Sequence, residues 1–143
     1  MQHALEEARV AGAAGDVPVG AVLLLDGVIR AAAHNRMRGD GDATSHAELL
    51  VLHEGARILG VDGLRDATLV VTLEPCAMCA GAIVLARVRR LVFGAWDDKA
   101  GMCGSVGDVV RHPRLNHKPE VQGGVMAEEN GALLREFFVA RRT

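Results

Sequence analysis

Aromatic side chains are scarce in this sequence, which has no tyrosine, one tryptophan and three phenylalanines among 143 residues. It also has no long apolar run. The longest, glycine included, extends from Ala77 to Ala86, well short of the roughly 20 residues that span a bilayer. We therefore expect no membrane-spanning helix and no membrane partner.

A strong excess of one charge is also missing, because the formal net charge is −2. This balance gives no global sign of nucleic-acid binding, so any such role must depend on a local patch. The N-terminal stretch has Glu6 and Glu7 where a signal peptide would need an apolar core, and we expect a cytoplasmic protein. The three cysteines are an odd number, which argues against a disulfide framework.

The length suits one domain over residues 1–143. Apolar spacing predicts an N-terminal helix with Ala4, Leu5, Ala8 and Ala11 on one face. Two apolar strands flank Asp26-Gly27, a two-residue hairpin signal. A second helix is predicted to begin at a Thr44 or Ser45 cap and to end at Gly60.

In the C-terminal half of the chain, the residue pattern predicts a buried strand over 67–73 and a helix from Pro75-Cys76 to about Arg87. The stretch RRLVFGA follows as a strand, 95–119 as a loop-rich segment and EVQGGV as a last short strand. We expect a closing helix whose inward side chains are Leu133, Leu134, Phe137 and Phe138. Strands that alternate with helices in this way indicate one mostly buried sheet with helices on both faces.

Two short patterns carry the chemistry. His46 and Glu48 stand two apart at one predicted helix start, and Cys76 and Cys79 stand three apart at another, so their sulfurs share a face. If the two starts face each other, one imidazole and two thiolates supply three ligands and leave a fourth position for water, which is the layout of a catalytic zinc site. Zinc lowers the pKa of its water, and Glu48 is free to act as general acid and base.

Each of these two patterns also has a simpler interpretation. A CxxC pair alone is also typical of redox centres and structural zinc sites, and His34 or His53 could complete a Cys₂His₂ set. A glutamate on a helix is commonly a solvated surface residue. The combined spacing, with a buried strand leading into the cysteines, favours catalytic zinc over these alternatives.

HAE (46–48) and EPCAMCAG (74–81) resemble the signature of the zinc-dependent cytidine and deoxycytidylate deaminase superfamily. Further segments resemble, in order, the bacterial tRNA-specific adenosine deaminases: DVPVGAVLL, HNR, TLEPCAMCAGAIV, VFGAWDDKAGMCGS, HPRLNHKPEV and LLREFFVARR. The similarity covers nearly the whole chain. Trp96 departs from it, because family members have a smaller or charged residue there.

The resemblance implies an α/β fold, a three-layer α/β/α sandwich around a five-stranded mixed sheet. It also implies a homodimer with one Zn²⁺ per subunit, held by His46, Cys76 and Cys79. The reaction would be hydrolytic deamination of the wobble adenosine of a tRNA anticodon stem-loop to inosine, with Glu48 as catalytic residue. An arginine tRNA with the anticodon ACG is the expected partner.

The resemblance, together with the modest positive charge of the C-terminal segment, predicts residues that contact the substrate. These are Val17, Asn35, Asp97, Lys99, Phe138, Arg141 and Arg142. From spacing alone, Asn35 is better interpreted as a turn or strand-end residue. One of the adjacent Phe137 and Phe138 is expected in the core, and the other is free to stack on a base.

Two rival functions remain at this point. A deaminase of a free nucleobase or nucleoside, such as guanine, cytosine or cytidine, would use the same zinc site. A zinc-stabilised binding protein without catalysis is the other rival, although a structural site has no use for a non-ligand carboxylate such as Glu48.

Overall fold

The computed structural model describes residues 1–141, so the predicted contact Arg142 lies outside the described residues. The helices are α1 (Gln2–Ala13), α2 (Met37–Asp40), α3 (Ala47–Gly63), α4 (Ala77–Leu85) and α5 (Ala127–Arg141). The strands are β1 (Gly20–Leu25), β2 (Val28–His34), β3 (Thr68–Leu73), β4 (Arg90–Ala95) and β5 (Glu120–Gln122).

The five strands form one mixed sheet in the order β2-β1-β3-β4-β5. β1 is antiparallel to both β2 and β3, whereas β3, β4 and β5 run parallel. The hairpin turns at Asp26 and Gly27, both of which have positive φ, as the two-residue turn predicts. The parallel half therefore brings the carboxyl ends of β3 and β4 to the same edge of the sheet.

The side chains of alternate strand residues pack on opposite faces of the sheet. Leu69 and Val71 pack with α3 and α4, whereas Val70 packs with Ala4 of α1, as the period of two in a strand requires. α5 lies beside α1 and contacts β3 and β4. This confirms the predicted three-layer arrangement with a five-stranded mixed sheet. Within residues 1–141, none of the helices is both long enough and apolar enough to cross a membrane.

Two helix boundaries differ from the sequence prediction. α3 has His46 at its N-cap, and neither Thr44 nor Ser45 caps it with a side chain. Its first N–H groups need an acceptor, and Asn35 from the end of β2 supplies one, since the Ala47 N–H donates to its Oδ1 at 2.8 Å. α3 also continues to Gly63, although Gly60 (φ 76°) breaks its helical geometry where the end was predicted.

The C-terminal helix is less buried than its pattern predicts. Only Asn130 is fully buried in α5, and Leu133, Leu134 and Phe137 are partly buried. Phe138 was predicted to point inward, but 46% of its surface is exposed. The inward prediction is wrong for Phe138, because residues adjacent in a helix point about 100° apart. The second expectation, that one ring of the pair stays free, agrees with the exposed Phe138 and the partly buried Phe137.

Candidate metal centre and active site

Two helix N-termini meet at one edge of the sheet and carry the candidate ligands. His46 is the N-cap of α3, and Cys76 is the N-cap of α4. Cys79 lies one turn further along α4 and is fully buried. Exposed N–H groups at a helix start favour negative charge, so this position suits thiolates.

The ligand atoms are close enough to share one ion. The Nδ1 atom of His46 lies 3.7 Å from the Cys76 sulfur and 3.5 Å from the Cys79 sulfur. Zinc bonds of about 2.3 Å to sulfur and 2.0–2.1 Å to nitrogen, at a tetrahedral angle, place those atoms roughly 3.6 Å apart. The donor set and its spacing therefore fit zinc. Within residues 1–141 this trio is the one group of His, Cys or carboxylate side chains close enough to hold a metal.

The alternatives for the cysteines are disfavoured by the geometry. All three cysteines lie in the described part of the chain, and none of them forms a disulfide. His34 pairs with Glu7 at 2.7 Å, and no fourth protein ligand joins the trio in the described part of the chain. Three ligands rather than four are typical of a catalytic site, which keeps one position open.

Without metal, the trio shares its protons unequally. Hydrogen bonds from the Cys79 thiol and from His46 lower the pKa of Cys76 to about 3, so Cys76 is a thiolate. The same contact with Cys76, together with burial, raises the pKa of Cys79 far above its ordinary value. The hydrogen bond to Cys76 also raises the pKa of His46. A metal that binds here must therefore displace protons from Cys79 and His46.

Glu48 is buried at the first turn of α3, with 4% of its surface exposed. Burial raises the pKa of its carboxyl group to about 7, which is the range suited to a group that both takes and gives a proton near neutral pH. Its carboxyl group interacts electrostatically with Cys79, Cys76 and His46. The structure thus places this predicted catalytic carboxylate beside the trio.

A comparison with known protein families shows to which family the chain belongs. The sequence model of the cytidine and deoxycytidylate deaminase zinc-binding region matches residues 1–95, which include the trio and Glu48. The chain belongs to this deaminase family. The resemblance predicted from the HAE and EPCAMCAG segments is confirmed.

Individual relatives of this deaminase extend the match over most of the chain. The tRNA-specific adenosine deaminase of Bacillus subtilis (strain 168) is 48% identical over 138 residues, 96% of this chain and 86% of that protein. A structure from biochemical and structural studies of A-to-I editing by tRNA:A34 deaminases is 46% identical, with a TM-score of 0.89, and the match covers 94% of this chain and 97% of that one. A guanine deaminase from Nitrosomonas europaea is 28% identical, with a TM-score of 0.77 and coverage of 96% and 82%.

The deaminase has a wide cavity of about 910 Å³ at the same edge of the sheet, where Leu73 ends β3 and Ala95 ends β4. Five of the predicted substrate contacts line it: Val17, Asp97, Lys99, Phe138 and Arg141. The trio, Glu48 and Asn35 are outside its lining. The cavity is therefore a neighbour of the metal centre, in which His46 and Cys76 are partly buried and Cys79 is fully buried.

One organising residue of the deaminase was missed from the sequence. Glu74 is almost fully buried, and its carboxylate accepts hydrogen bonds from the backbone N–H groups of Asp97, Cys103 and Ser105 at 2.9–3.0 Å and from the Ser105 hydroxyl. A Cβ atom at Gly101 would lie within 2.5 Å of this carboxylate, so glycine is required there. Glu74 thus anchors the loop over 97–105 two residues before Cys76. A carboxylate between a buried strand and a helix start is the sequence signal that could have identified it.

Replacing Glu74 by glutamine should destabilise the deaminase by about 1.5–3 kcal/mol, because hydrogen bonds to a charged acceptor weaken and an amide NH₂ must face N–H donors. Burial alone would raise the pKa of Glu74, but its four donors outweigh burial and hold the pKa below 4.5. This contribution is therefore present above about pH 4.5 and disappears as the pH falls through the lowered pKa.

Urea unfolding of the wild type and Glu74→Gln at pH 7 and at lower pH tests this. The difference in unfolding free energy should be large at pH 7 and should shrink in acid. Glu54→Gln, which removes an exposed partner of Arg57, should change stability little at either pH. Equal stability of wild type and Glu74→Gln at pH 7 would contradict the assignment.

Cys103 is a buried thiol outside the trio. It has no exposed surface, and burial raises its pKa to about 12.

Proposed function

We propose that this chain is a tRNA-specific adenosine deaminase that converts the wobble adenosine of an anticodon stem-loop to inosine. The observation that carries the proposal is the placement of one imidazole, two thiols and the buried carboxylate of Glu48 at the junction of two helix starts. The 48% identity to the Bacillus subtilis enzyme supports tRNA adenosine as the substrate.

We propose that His46, Cys76 and Cys79 hold one zinc ion per chain. Zinc, when bound, supplies a water molecule whose pKa is lowered toward neutrality. Glu48 is then the proton carrier, and it works twice: it takes one proton of the water as the oxygen adds to C6 of adenine and gives it to N1. It then takes the second proton from the new hydroxyl group on C6 and delivers it to the departing amine, so that the C–N bond breaks as the C6 carbonyl forms. Water and adenosine are consumed, and inosine and ammonia are formed.

Asn35 is proposed to orient the flipped nucleoside. Because the Ala47 N–H is a donor, the atom that faces it must be Oδ1. The hydrogen bond described for the Asn35 side chain uses Oδ1, and its amide Nδ2 is proposed to donate to an acceptor of the base or ribose. Asn35 is then both a strand-end residue that caps α3 and a substrate contact.

The residues of the 910 Å³ cavity are proposed to bind the RNA around the target nucleotide. Lys99 and Arg141 bring positive charge for phosphates. Arg142, which lies outside the described residues, is proposed as a further phosphate contact. Val17 and Phe138 supply apolar surface, and Asp97 shapes the loop by accepting hydrogen bonds from the N–H groups of Lys99 and Ala100. The proposal extends to an arginine tRNA with the anticodon ACG, to a homodimer and to a cytoplasmic location.

Substrate choice gives the direct test. Zinc-loaded protein should form inosine in an anticodon stem-loop with adenosine at the wobble position. It should leave unchanged the same stem-loop with that adenosine moved one position along the loop. Free adenosine, guanine, cytosine and cytidine should react far more slowly, as measured by chromatography of products, with zinc content assayed in parallel. Turnover of a free base without turnover of the stem-loop would overturn the proposal in favour of a free-base deaminase.

A further inference from the structure

The exposed aromatic side chains of this chain are concentrated at one place. Of its four aromatic residues, Phe93 is fully buried and Phe137 is partly buried. Trp96 and Phe138 are 51% and 46% exposed, and both line the 910 Å³ cavity. The sequence has few aromatic residues, yet two of the large rings are exposed in one cavity and do not gain the free energy of burial. Exposed apolar surface concentrated in this way is typical of a binding surface.

Trp96 is held in place although half of it is exposed. Its ring contacts the ring of Phe93 edge-on, with centroids 4.8 Å apart and planes at 90°. A Cβ atom at Gly123 would lie 2.9 Å from the indole and 2.4 Å from the Phe93 ring, and one at Gly104 would lie 3.3 Å from the indole. These glycines therefore make room for the indole, and the ring is preorganised while its free surface remains available.

The indole is tied to the same edge of the sheet as the metal centre. Trp96 directly follows β4, and the Glu74 N–H donates to the Ala95 carbonyl at 2.8 Å. The Asp97 N–H donates in return to the Glu74 carboxylate. Hydrogen bonds therefore enclose Trp96 on both sides and connect it to the segment that carries Cys76.

The charges around the indole suit a polyanion. Lys99, Arg135 and Arg141 line the cavity, against Asp97 and Asp98. Lys99 forms no ion pair within the described residues. An open aromatic ring beside such cations is the combination that binds single-stranded nucleic acid, in which bases stack on rings and phosphates meet the positive charges.

We propose that Trp96 is a stacking platform for one unpaired nucleobase of the RNA loop, a neighbour of the adenosine that enters the metal site. The proposal rests on the proposed function, since it requires an RNA loop at this edge of the sheet. In this proposal, Trp96 binds a second nucleotide of the loop in addition to the adenosine that is deaminated. A deaminase of a free base would have no use for it.

Tryptophan fluorescence tests this directly, because Trp96 is the only tryptophan in the chain. Zinc-loaded Glu48→Gln protein, chosen to block turnover, is titrated with the anticodon stem-loop, and with the same stem closed by a short unrelated loop. Only the anticodon loop should quench Trp96. Single abasic replacements at each loop position other than the wobble should identify one position whose base is required for the quenching.

Substitution of the indole gives the matching energetic test in the otherwise wild-type chain. Trp96→Ala should weaken stem-loop binding and raise KM by roughly 5- to 150-fold, the range for loss of one base stack, with a smaller change in kcat. Trp96→Phe should retain most of the affinity. Val61→Ala, which shortens an exposed apolar side chain outside the cavity, should leave KM unchanged.

The outcomes separate the two proposals. If wild-type protein forms no inosine in the stem-loop, the proposed function fails. If it forms inosine but Trp96→Ala keeps its KM, or if quenching survives every abasic replacement, only the stacking platform is wrong. Emission that changes with protein concentration and not with RNA would assign the indole to a contact with a second copy and would also overturn the platform.

Discussion

Glu48→Gln should reduce the rate of inosine formation by about 10²–10⁴-fold, the range that a positioned general acid or base contributes. Glutamine has nearly the same shape and fills the same buried space at the first turn of α3, so the fold should be retained. It can neither accept the proton of water nor pass one to the amine. The loss should appear in kcat, because the residues proposed to bind the RNA are untouched.

Zinc analysis distinguishes this role from ligation. Glu48 is not one of the three ligand side chains, so the variant should keep as much zinc as the wild type. Glu6→Gln, a change at an exposed glutamate of α1, is the matched control and should keep full activity. If Glu48→Gln lost its zinc along with its activity, the separation of ligand and proton carrier would be wrong.

Cys76→Ser should abolish both zinc binding and activity. The thiolate of Cys76 is the one ligand that is already deprotonated in the metal-free protein, and a serine hydroxyl cannot replace it near neutral pH. The affinity should fall by more than the 10–100-fold that follows loss of a residue supporting a metal ligand. Zinc retention is measured after equilibration against a chelator of known affinity.

Cys103→Ser is the control that the chain itself offers. Cys103 is buried and free but stands outside the trio, so this variant should retain zinc even if it loses some stability. Loss of zinc from Cys103→Ser with retention by Cys76→Ser would reverse the assignment of the ligands.

The same cluster fixes the sign of the pH dependence of zinc binding. Contact with Cys76 raises the pKa of Cys79, and likewise that of His46, so both groups carry protons that zinc must displace. The apparent affinity should therefore rise with pH and fall in acid. Calorimetry in buffers of different ionisation enthalpy should detect protons released on binding, and binding without proton release would contradict this account.

Local patterns predicted the local parts of the fold well. The inward face of α1 is the predicted one, Ala4, Leu5, Ala8 and Ala11, because helical periodicity acts within a few residues. The turn at Asp26-Gly27 likewise depends only on its own backbone. The predicted five-stranded mixed sheet came from the family resemblance and is confirmed.

The features that were missed depend on distant partners. α3 takes its capping acceptor from Asn35, which lies twelve residues before Ala47, so a search for a cap in the adjacent sequence found the wrong residues. Glu74 meets donors 23 to 31 residues away. Spacing predicted three ligands for one ion only if the two helix starts face each other, and whether they do so depends on how α3 and α4 pack on the sheet.

The Glu74 anchor has a consequence for how this protein can diverge. Three of its four donors are peptide N–H groups, which every residue except proline provides. Side chains such as Trp96 and Lys99 can therefore be exchanged without altering the path of the backbone that displays them. Selection can therefore change which oligonucleotides are bound while the metal ligands and Glu48 stay the same.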